Sequence, residues 1–240
     1  MIQDPQPLFI KRLHGKLESW FTLHFVAPHF TSLGKNPTMM KPWNININGG
    51  FINAGNNLHI ITAPDRKVSF STWHFEDYQG HINIGDNCLI CPGVRLDSGS
   101  SLTIGDNCML AASAYITDAD WHDLYDRTQT VGATAAVILE DNVWIGDGAT
   151  ICKGVTIGEN SIIGAGAVVA SSIPANCIAA GNPAKVIKML DPEKALKTRA
   201  TIFEDVTALN QKIDDINRYT LHNNTFFSWI RRLLFPKIGD

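Results

Sequence analysis

The chain has 240 residues, of which 45% are hydrophobic and 18% charged, so it is long and apolar enough to bury a sizeable core. Twenty basic residues against 23 acidic ones give a net charge of −3, which argues against the basic footprint of a nucleic-acid-binding protein. Five cysteines are too few, and odd in number, for a disulfide-dense secreted domain, so we expect a reducing, cytoplasmic location.

Residues 1–44 predict a helical segment that precedes the main domain. Residues 6–25 mix apolar and basic side chains in a way that suits a helix, and Pro28 should end it. No basic stretch followed by an apolar run predicts a signal peptide, and no run reaches the roughly 18 to 20 apolar residues of a transmembrane helix. We expect this segment to cap the domain that follows.

Residues 45–190 form that domain, and they carry a repeat with a period of six. Aliphatic side chains recur at this interval in two blocks, with a two-residue slip inside the first block. The twelve matched positions are Ile84, Ile90, Leu96, Ile104, Leu110, Ile116, Leu139, Ile145, Ile151, Ile157, Ile163 and Val169.

This period fits neither an α-helix nor a simple alternating strand. Gly-Asp-Asn or Gly-Glu-Asn follows Ile84, Ile104 and Ile157, and these residue types favour turns. The pattern therefore predicts a solenoid of short strands with a corner every six residues. An ordinary β-sandwich would instead show irregular spacings of about 8 to 12 residues.

The segment from Ile45 to Trp73 shows a weaker form of the same pattern. It predicts degenerate first coils of the solenoid rather than a separate domain. The apolar residues concerned are Ile52, Leu58, Ile60, Val68 and Phe70.

Two cysteines occupy a small inward position of the repeat. Cys88 and Cys108 each follow an aliphatic repeat position by four residues, and a thiol there behaves as a small hydrophobe. Cys88 and Cys91 form a lone C-x2-C, and no second pair has zinc-ligand spacing. We therefore expect no metal site.

The repeat stops between Ile116 and Leu139, so residues 117–138 predict a loop extruded from the solenoid. This segment contains His122 together with several aspartates and aromatic residues. Loops of this length in compact domains are usually functional or disordered, and the aromatic residues argue against disorder. We expect a functional residue in this loop.

Residues 191–240 predict a C-terminal helical extension. The sequence Asp-Pro-Glu-Lys at 191–194 suggests a helix start. Apolar residues then follow at heptad spacing, at Ile202, Val206, Leu209, Ile213 and Ile216. Two heptads would suit either three parallel copies in a trimer or one helix packed on its own coil.

The last apolar stretch, residues 226–235, interleaves large apolar side chains with Arg231 and Arg232. Helices that lie in a membrane interface have this composition. The stretch therefore predicts either peripheral membrane contact or burial against a neighbouring subunit.

Four short motifs lie within the repeat in a fixed order. They are Asn-Val-Trp-Ile-Gly at 142–146, Gly-Val-Thr-Ile-Gly at 154–158, Ile-Gly-Ala-Gly at 163–166 and Ala-Gly-Asn-Pro-Ala-Lys at 180–185. Their order and spacing resemble the hexapeptide-repeat acyltransferases, above all the galactoside and maltose O-acetyltransferase group, over roughly residues 82–188.

This resemblance implies an all-β solenoid, namely a left-handed parallel β-helix, with N-terminal and C-terminal helical extensions in this chain. It implies an acetyl-CoA-dependent O-acyltransferase that assembles as a homotrimer. The handedness and the trimer come from the family and not from the periodicity.

The resemblance also places the catalytic histidine on the extruded loop, at His122. Transfer of an acyl group from a thioester to a hydroxyl needs a base, because a neutral alcohol is a poor nucleophile, and imidazole has a suitable pKa. Asp118, Asp120 and Asp123 are candidates to orient the ring, and a backbone carbonyl could serve as well.

The expected substrate-binding residues are Cys91, Asp97, Asp120 and Trp121. The family's sugar-binding Asn falls at Cys91, and its acceptor-contacting Asp falls at Gly99, with Asp97 nearby. A simple galactoside is therefore not the expected acceptor. By analogy, a sugar or surface-glycan precursor of polysaccharide biosynthesis would suit the enzyme better.

In the family, coenzyme A lies along the groove between adjacent coils. The residues that the resemblance assigns to this groove are Trp144, Gly146, Asp147, Ala165, Ala170, Ser171, Lys185 and Lys188. Small side chains let a thin thioester arm approach the backbone, and the two lysines offer charge to phosphates. Residues 164–166 lack the third glycine of a dinucleotide fingerprint, so NAD is not expected.

Two other functions stay open at this point. A catalytically silent trimeric scaffold would use the same solenoid and terminal helices to bind partners, and it would lack affinity for acetyl-CoA. A carbonic-anhydrase-like metalloenzyme would need three histidines at one metal, whereas His59 and His81 lie far upstream of His122.

Overall fold

The structure is a computed structural model that describes residues 4–75 and 78–237. Three parallel sheets form the sides of a triangular prism, and each coil of the chain contributes one strand to each sheet. The described residues make six complete coils, and neighbouring strands pair in register from one coil to the next.

Sheet 1 contains β1 (Ser32–Leu33), β4 (Ile52–Ala54), β9 (His81–Ile84), β12 (Ser101–Ile104), β15 (Val137–Leu139) and β18 (Thr156–Ile157). Sheet 2 contains β2 (Thr38–Met40), β5 (His59–Ile61), β10 (Leu89–Ile90), β13 (Met109–Leu110), β16 (Trp144–Ile145), β19 (Ile162–Ile163), β21 (Cys177–Gly181) and the antiparallel β22 (Ala184–Met189). Sheet 3 contains β3 (Ile45–Asn48), β6 (Val68–Thr72), β11 (Arg95–Ser98), β14 (Tyr115–Thr117), β17 (Thr150–Ile151) and β20 (Val168–Val169).

The hydrophobic core runs along the inside of the prism. All twelve residues of the six-residue period point into it with at most 5% of their surface exposed, which confirms the predicted solenoid. Cys88 and Cys108 are buried at the small inward position, also as predicted. Ile52, Leu58 and Phe70 are fully buried in the second coil, so the prediction that the solenoid extends upstream of Trp73 is confirmed.

Each coil has three corners, which we name by the sheets that they join. The 1–2 corner turns through an asparagine in the left-handed backbone region, with φ between 56° and 62°. These asparagines are Asn36, Asn57, Asn87, Asn107, Asn142, Asn160 and Asn176. Asparagine tolerates this conformation better than most residues, which explains the Gly-Asp-Asn and Gly-Glu-Asn motifs.

Side chains at the 1–2 corner bond from coil to coil. The Asn57 amide donates to Asn87 Oδ1 at 2.8 Å, and Asp106 Oδ1 accepts the backbone N–H of Asp86 at 2.7 Å. Asp141 in turn accepts the N–H of Asp106 at 2.8 Å. We call this column of Asn and Asp side chains the corner ladder; it satisfies backbone donors that the turns leave unpaired.

The helices lie outside the prism. They are α1 (Leu8–Phe21), α2 (Ala200–Phe203), α3 (Val206–Leu221) and α4 (Phe226–Leu234). The prediction of a helix within 6–25 is confirmed; after α1 the chain continues as a π turn at Thr22–Val26 and 3-10 turns at Ala27–His29 and, further on, Pro42–Asn44. No helix in the described ranges is long and apolar enough to cross a membrane.

The predicted helix start at Asp191 is wrong. The Asp191 side chain accepts the N–H of Glu193 at 3.1 Å and closes a local turn. The first helix after the last coil, α2, begins only at Ala200. The chain here returns from the last coil to Asn87, whose carbonyl accepts from Arg199 Nε at 2.7 Å. Extended chain covers about twice the distance per residue that a helix covers, which suits this long return.

The predicted heptad is divided between two helices. Ile202 lies in α2, whereas Val206 begins α3, because Asp205 caps α3 by accepting the N–H of Ala208 at 2.8 Å. Helix α3 then reaches the first-coil end, where Asp214 forms an ion pair with Arg12 of α1 at 2.7 Å. The C-terminal extension thus runs back along the prism and packs against α1.

Candidate active site

The extruded loop leaves the prism at the 3–1 corner, between β14 and β15. It spans residues 118–136, slightly shorter than the predicted 117–138. Its base is an antiparallel stem, in which the N–H of Asp120 donates to Ala133 O at 2.9 Å and the N–H of Gly132 donates to Asp120 O at 2.7 Å. The stem holds the distal part of the loop in one position.

Gly132 is required for this stem. A Cβ on Gly132 would lie 2.5 Å from the carbonyl oxygen of His122 and 2.8 Å from its carbonyl carbon. Any larger residue would push the returning strand away from His122. The glycine therefore sets how closely the two sides of the loop approach each other.

Asp118 fixes the base of the loop to the coil below it. Its carboxylate is fully buried and accepts from Ser98 Oγ at 2.6 Å, from the N–H of Gly99 at 2.7 Å and from the N–H of Ser100 at 3.0 Å. All of these donors belong to the neighbouring 3–1 corner. Asp118 is thus a structural anchor and does not face the imidazole of His122.

A hairpin from the second coil supports the loop from the side. It consists of β7 (His74–Phe75) and β8 (Tyr78–Gln79), and the hydroxyl of Tyr78 donates to Val131 O at 3.2 Å. The indoles of Trp73 and Trp121 lie 5.4 Å apart, and Trp121 Nε1 donates to the hydroxyl of Tyr115 at 3.0 Å. These contacts hold the residue that directly precedes His122.

The His122 side chain is exposed, and its Nδ1 lies 3.3 Å from the carbonyl oxygen of Gln129. A carbonyl can only accept, so this contact requires the proton on Nδ1 and leaves Nε2 as the basic nitrogen. Of the alternatives considered for orienting the ring, the structure favours a backbone carbonyl. Gln129 itself is held by Asp126, which accepts its side-chain amide at 3.1 Å.

The other two aspartate candidates have separate partners. Asp120 forms a half-buried ion pair with Lys153 at 2.7 Å, which ties the stem to the next coil. Asp123 accepts the backbone N–H groups of Asp126 and Tyr125, both at 2.8 Å. These two N–H groups hold the pKa of Asp123 below its usual value, with the one from Asp126 contributing most.

A polar cleft of about 330 Å³ lies on the outer face of sheet 3, next to the loop. Its floor includes Asp97, which is 7% exposed and forms an ion pair with Arg95 at 2.7 Å. Its sides include the indoles of Trp73 and Trp121, and the remaining lining residues are Asn48, Ser69 and Ser71. The structure thus brings the predicted residues Asp97 and Trp121 together, with Trp121 adjacent to His122.

Two more predicted positions lie at the 2–3 corner, on exposed turns. Asp147 and Ala165 are stacked in consecutive coils, since the N–H of Gly166 donates to Asp147 O at 2.7 Å. Gly146 lies at the same corner for a packing reason, because a Cβ there would come within 2.5 Å of Ile163 O. Trp144 points outward from sheet 2 and is 44% exposed.

The remaining predicted groups of the coenzyme groove lie elsewhere on the prism. Lys185 and Lys188 are exposed on β22, which pairs with β21 at the last-coil end. Ala170 and Ser171 are exposed at the 3–1 corner, the corner from which the loop extends. Ala165 and Ala170 lie on opposite sides of β20 (Val168–Val169), at two different corners of the prism, so one chain does not bring both to one point.

Cys91 is not part of the cleft. It lies at the 2–3 corner, where burial raises the pKa of its thiol, Arg199 opposes that shift and Asp147 adds to it. The thiol therefore stays protonated at neutral pH and is neither a nucleophile nor a metal ligand in that form. Its position next to Asp147 associates it with the 2–3 corner and not with Trp121.

The histidines named in the metalloenzyme alternative lie on different parts of the molecule. His59 is on sheet 2, His81 is on sheet 1 and His122 is on the loop. Burial, with a smaller contribution from Arg199, lowers the pKa of His59. Within the described ranges, no three His, Cys, Asp or Glu side chains lie close enough together to hold a metal ion.

Several residues of the site had no signal in the sequence. Trp73 and Arg95 line the cleft, Gln129 contacts the imidazole, and Lys153 holds the stem. Their roles depend on contacts between distant coils. The outward side of a solenoid strand has no hydrophobic constraint, so its residues follow no period that could reveal them.

Comparisons with known proteins place the repeat in a described family. The model of the bacterial transferase hexapeptide (six repeats) matches residues 136–171, and that of the hexapeptide repeat of succinyl-transferase matches residues 82–118. Galactoside O-acetyltransferase of Escherichia coli is 30% identical over 194 residues, which are 75% of this chain and 80% of that protein.

A relative from Saccharomyces cerevisiae that carries the name of an acetyltransferase is 41% identical over 123 residues. The match covers 51% of this chain and 63% of the yeast protein, less than two thirds of that protein's length.

A solved structure gives a similar picture. A mutant of AntD, an N-acyltransferase from Bacillus cereus in complex with dTDP-4-amino-4,6-dideoxyglucose and coenzyme A, superimposes with a TM-score of 0.57 at 23% identity. The match covers 78% of this chain and 92% of that one. With the repeat matches, this likeness supports the fold that the sequence predicts, a left-handed parallel β-helix with helical extensions.

Proposed function

Because the chain belongs to the hexapeptide-repeat acyltransferases of the galactoside O-acetyltransferase group, we propose that it transfers an acetyl group from acetyl-CoA to a hydroxyl of a sugar or surface-glycan precursor. The observation that carries this proposal is the geometry of His122. Its ring is exposed on a braced loop, directly after a wall residue of the polar cleft, with Nδ1 held by a carbonyl.

The proposed reaction is a direct attack. The acceptor oxygen attacks the thioester carbonyl while His122 Nε2 takes the hydroxyl proton, so a C–O bond forms and a tetrahedral intermediate carries the negative charge on the former carbonyl oxygen. The C–S bond then breaks, and the imidazolium returns the proton to the leaving thiolate. The Gln129 carbonyl accepts the Nδ1 proton throughout both steps, so Nε2 is the nitrogen that takes up and releases the transferred proton.

The polar cleft on sheet 3 suits an acceptor of the sugar class. A sugar ring has apolar C–H faces, which pack on indoles such as Trp73 and Trp121, and a rim of hydroxyls, which Asp97 and Arg95 can bind. A bound ring would have one hydroxyl directed toward the loop that carries His122.

The expected coenzyme-groove residues are divided between two corners of the prism, and this division supports a homotrimer. Asp147 and Ala165 lie at the 2–3 corner, whereas His122, Ala170 and Ser171 belong to the 3–1 corner. We infer a side-by-side packing of three prisms in which the 2–3 corner of one copy meets the 3–1 corner of the next. The coenzyme groove would then be formed by two neighbouring copies, with Lys185 and Lys188 offering charge to the phosphates.

The chemistry of the donor and of the cysteines supports a cytoplasmic location. All five cysteines are free thiols, as expected in a reducing compartment. An acetyl-CoA-dependent enzyme that modifies glycan precursors in this compartment would act in polysaccharide biosynthesis.

Titration of acetyl-CoA into the purified protein tests the binding half of the proposal. We expect micromolar affinity in calorimetry. Lys185→Ala should bind more weakly, because it lacks the exposed ammonium group on β22 that would face a phosphate of the coenzyme. Lys67→Gln at the other end of the prism is the matched control and should bind as the wild type does. A folded protein with no affinity for acetyl-CoA would instead support the scaffold function.

Release of free coenzyme A in the presence of a panel of sugar acceptors tests the catalytic half. We expect His122→Ala to lower the rate by about 10² to 10⁴ with acetyl-CoA affinity retained. His222→Ala is the matched control, because its Nδ1 also faces a backbone carbonyl, that of Tyr219 at 2.7 Å, far from the loop. Full activity of His122→Ala would contradict the mechanism.

A further inference from the structure

Helix α1 presents an apolar stripe to solvent at the first-coil end of the prism. Phe9, Leu13, Leu17 and Trp20 recur at spacings of 4, 4 and 3, and their exposed fractions are 57%, 62%, 49% and 49%. The opposite side of α1 packs on the first coil, where Glu18 accepts the N–H of Lys41 at 2.8 Å. The stripe is therefore not part of the contact between α1 and the prism.

Helix α4 extends this surface. The rings of Phe9 and Phe226 lie 6.4 Å apart, and the Asn224 amide donates to Gln6 O at 3.0 Å, so the starts of α1 and α4 are held together. Phe227 and Leu234 of α4 are 83% and 65% exposed. We call the joint surface the apolar platform; it consists of Phe9, Leu13, Leu17, Trp20, Phe226, Phe227 and Leu234.

Basic residues are concentrated around the platform. Residues 4–26 and 224–237 carry six basic side chains against two acidic ones, although the whole chain has a net charge of −3. The six are Lys11, Arg12, Lys16, Arg231, Arg232 and Lys237. Residues 206–221, which pack beside them, contain two basic and two acidic side chains and do not neutralise this excess.

We propose that the apolar platform docks on an anionic lipid bilayer. Helices with large apolar side chains on one side and Lys or Arg beside them lie in membrane interfaces, and anionic headgroups attract the basic residues. A symmetric contact between two copies of this chain would bring the basic clusters against each other, which is unfavourable. This inference goes beyond acyl transfer, because it holds whatever the acceptor is.

Co-sedimentation with vesicles tests the proposal on the full chain. We expect binding to phosphatidylcholine vesicles that contain about 30% phosphatidylglycerol, weak binding to pure phosphatidylcholine, and a loss of binding as the salt concentration rises. Phe227→Glu and Leu13→Glu should each lower the affinity more than tenfold. Both side chains are exposed, so the thermal unfolding of these variants should match that of the wild type.

Ile187→Glu is the matched control for the apolar residues. Ile187 is 66% exposed, like Leu13, but it lies on β22 at the opposite end of the prism. Its substitution should leave vesicle binding unchanged. For the basic residues, Lys16→Gln should weaken binding to the anionic vesicles about fivefold. Lys194→Gln, at an exposed lysine that follows β22 beyond the last coil, should not weaken it.

Two results would overturn the proposal. The first is a wild-type protein that binds neither kind of vesicle, and the second is equal binding to neutral and anionic vesicles. In the first case, sedimentation equilibrium identifies the alternative: if Phe227→Glu dissociates an oligomer, the platform is a contact between copies of the chain.

Discussion

At both the 1–2 corner and the 3–1 corner of the prism, carboxylates accept backbone N–H groups from a neighbouring coil, but the two corners have different roles. At the 1–2 corner, Asp86, Asp106 and Asp141 each accept a backbone N–H from the coil before, as Asp106 does from Asp86. At the 3–1 corner, Asp118 accepts two backbone N–H groups and a hydroxyl, but the chain then leaves the prism for 19 residues, 118–136. One corner repeats and the other supports an insertion.

The comparison shows how a solenoid can carry an ordered loop. Two aspartates close to the histidine in sequence have other partners: Asp118 binds the coil below, and Asp120 pairs with Lys153 of the coil above. The imidazole is left with a carbonyl of its own loop. In this site, carboxylates hold the loop and the loop holds the ring.

The largest expected effect separates the two corners directly. Asp118→Ala leaves the backbone N–H groups of Gly99 and Ser100 unpaired in a buried position, and we expect it to lower the free energy of unfolding by about 3 to 5 kcal/mol. Asp86→Ala removes a half-exposed member of the corner ladder and should cost about 1 kcal/mol.

Thermal melting at fixed protein concentration measures both variants. For a chain of this size the melting temperature should fall by roughly 6 °C or more in Asp118→Ala and by about 2 to 4 °C in Asp86→Ala. Equal shifts for the two variants would show that Asp118 is only another member of a ladder.

A second substitution examines how closely the coils stack at the corner ladder. A Cβ on Gly105 would lie 2.4 Å from Asp141 Oδ1 and 2.8 Å from the backbone carbon of Glu140, so the coils must separate to accept it. We expect Gly105→Ala to destabilise the protein by about 2 to 4 kcal/mol in the same melting experiment.

Its control is the same chemical change at Gly15. Nothing lies within 4 Å of a Cβ there, and the residue is inside α1, so Gly15→Ala should stabilise by about 0.5 to 1 kcal/mol. A mild effect at Gly105, similar in size to that at Gly15, would mean that the coils tolerate expansion at this corner.

The smallest expected effect concerns pH at the loop tip. The hydroxyl of Thr128, then the amide of Gln129 and the N–H of Thr128, hold the pKa of Asp126 below its usual value of 3.8. A carboxyl group whose pKa is lower in the folded protein than in the unfolded chain stabilises the turn fully above pH 3.8. This stabilisation is lost as the pH falls through the lower pKa of the folded protein. The turn around Gln129 should therefore loosen below pH 3.8.

Hydrogen exchange of a peptide spanning residues 123–131 measures this loosening, with strands β18 and β19 as the internal reference. Asp126→Asn removes the titrating group and should reduce the pH dependence, leaving the part due to Asp123. Unchanged protection of the wild-type peptide down to pH 3 would show that the turn does not depend on these carboxylates.

Much of the fold could be predicted because a buried column leaves a period in the sequence. The twelve aliphatic repeat positions from Ile84 to Val169 were predictable in this way, and so was the break at the loop. The path of the C-terminal extension could not be predicted, because it depends on single contacts such as Arg199 with Asn87, 112 positions apart. The residue pattern at Asp191 favours a helix start, but the chain there must span the distance from the last coil back to Asn87, and extended chain spans it better than a helix.

The site was predictable only in part. His122 and Trp121 lie in a visible interruption of the period. Asp97 lies two residues before Gly99, the position where the resemblance places an acceptor-contacting Asp. Trp73 had no such signal, since its role depends on the hairpin that also brings Tyr78 to Val131, 53 positions along the chain. Outward-facing residues contact ligands or neighbouring segments, and these contacts leave no hydrophobic period in the sequence.

The corner ladder has a consequence for evolution. Because hydrogen bonds at the 1–2 corner fix the register of each coil against the next, the chain can lengthen at the 3–1 corner without disturbing the coils on either side. Both the hairpin at β7 and β8 and the loop at 118–136 arise there. Descendants of such a protein can exchange these insertions and acquire new acceptors, while the prism beneath them is inherited unchanged.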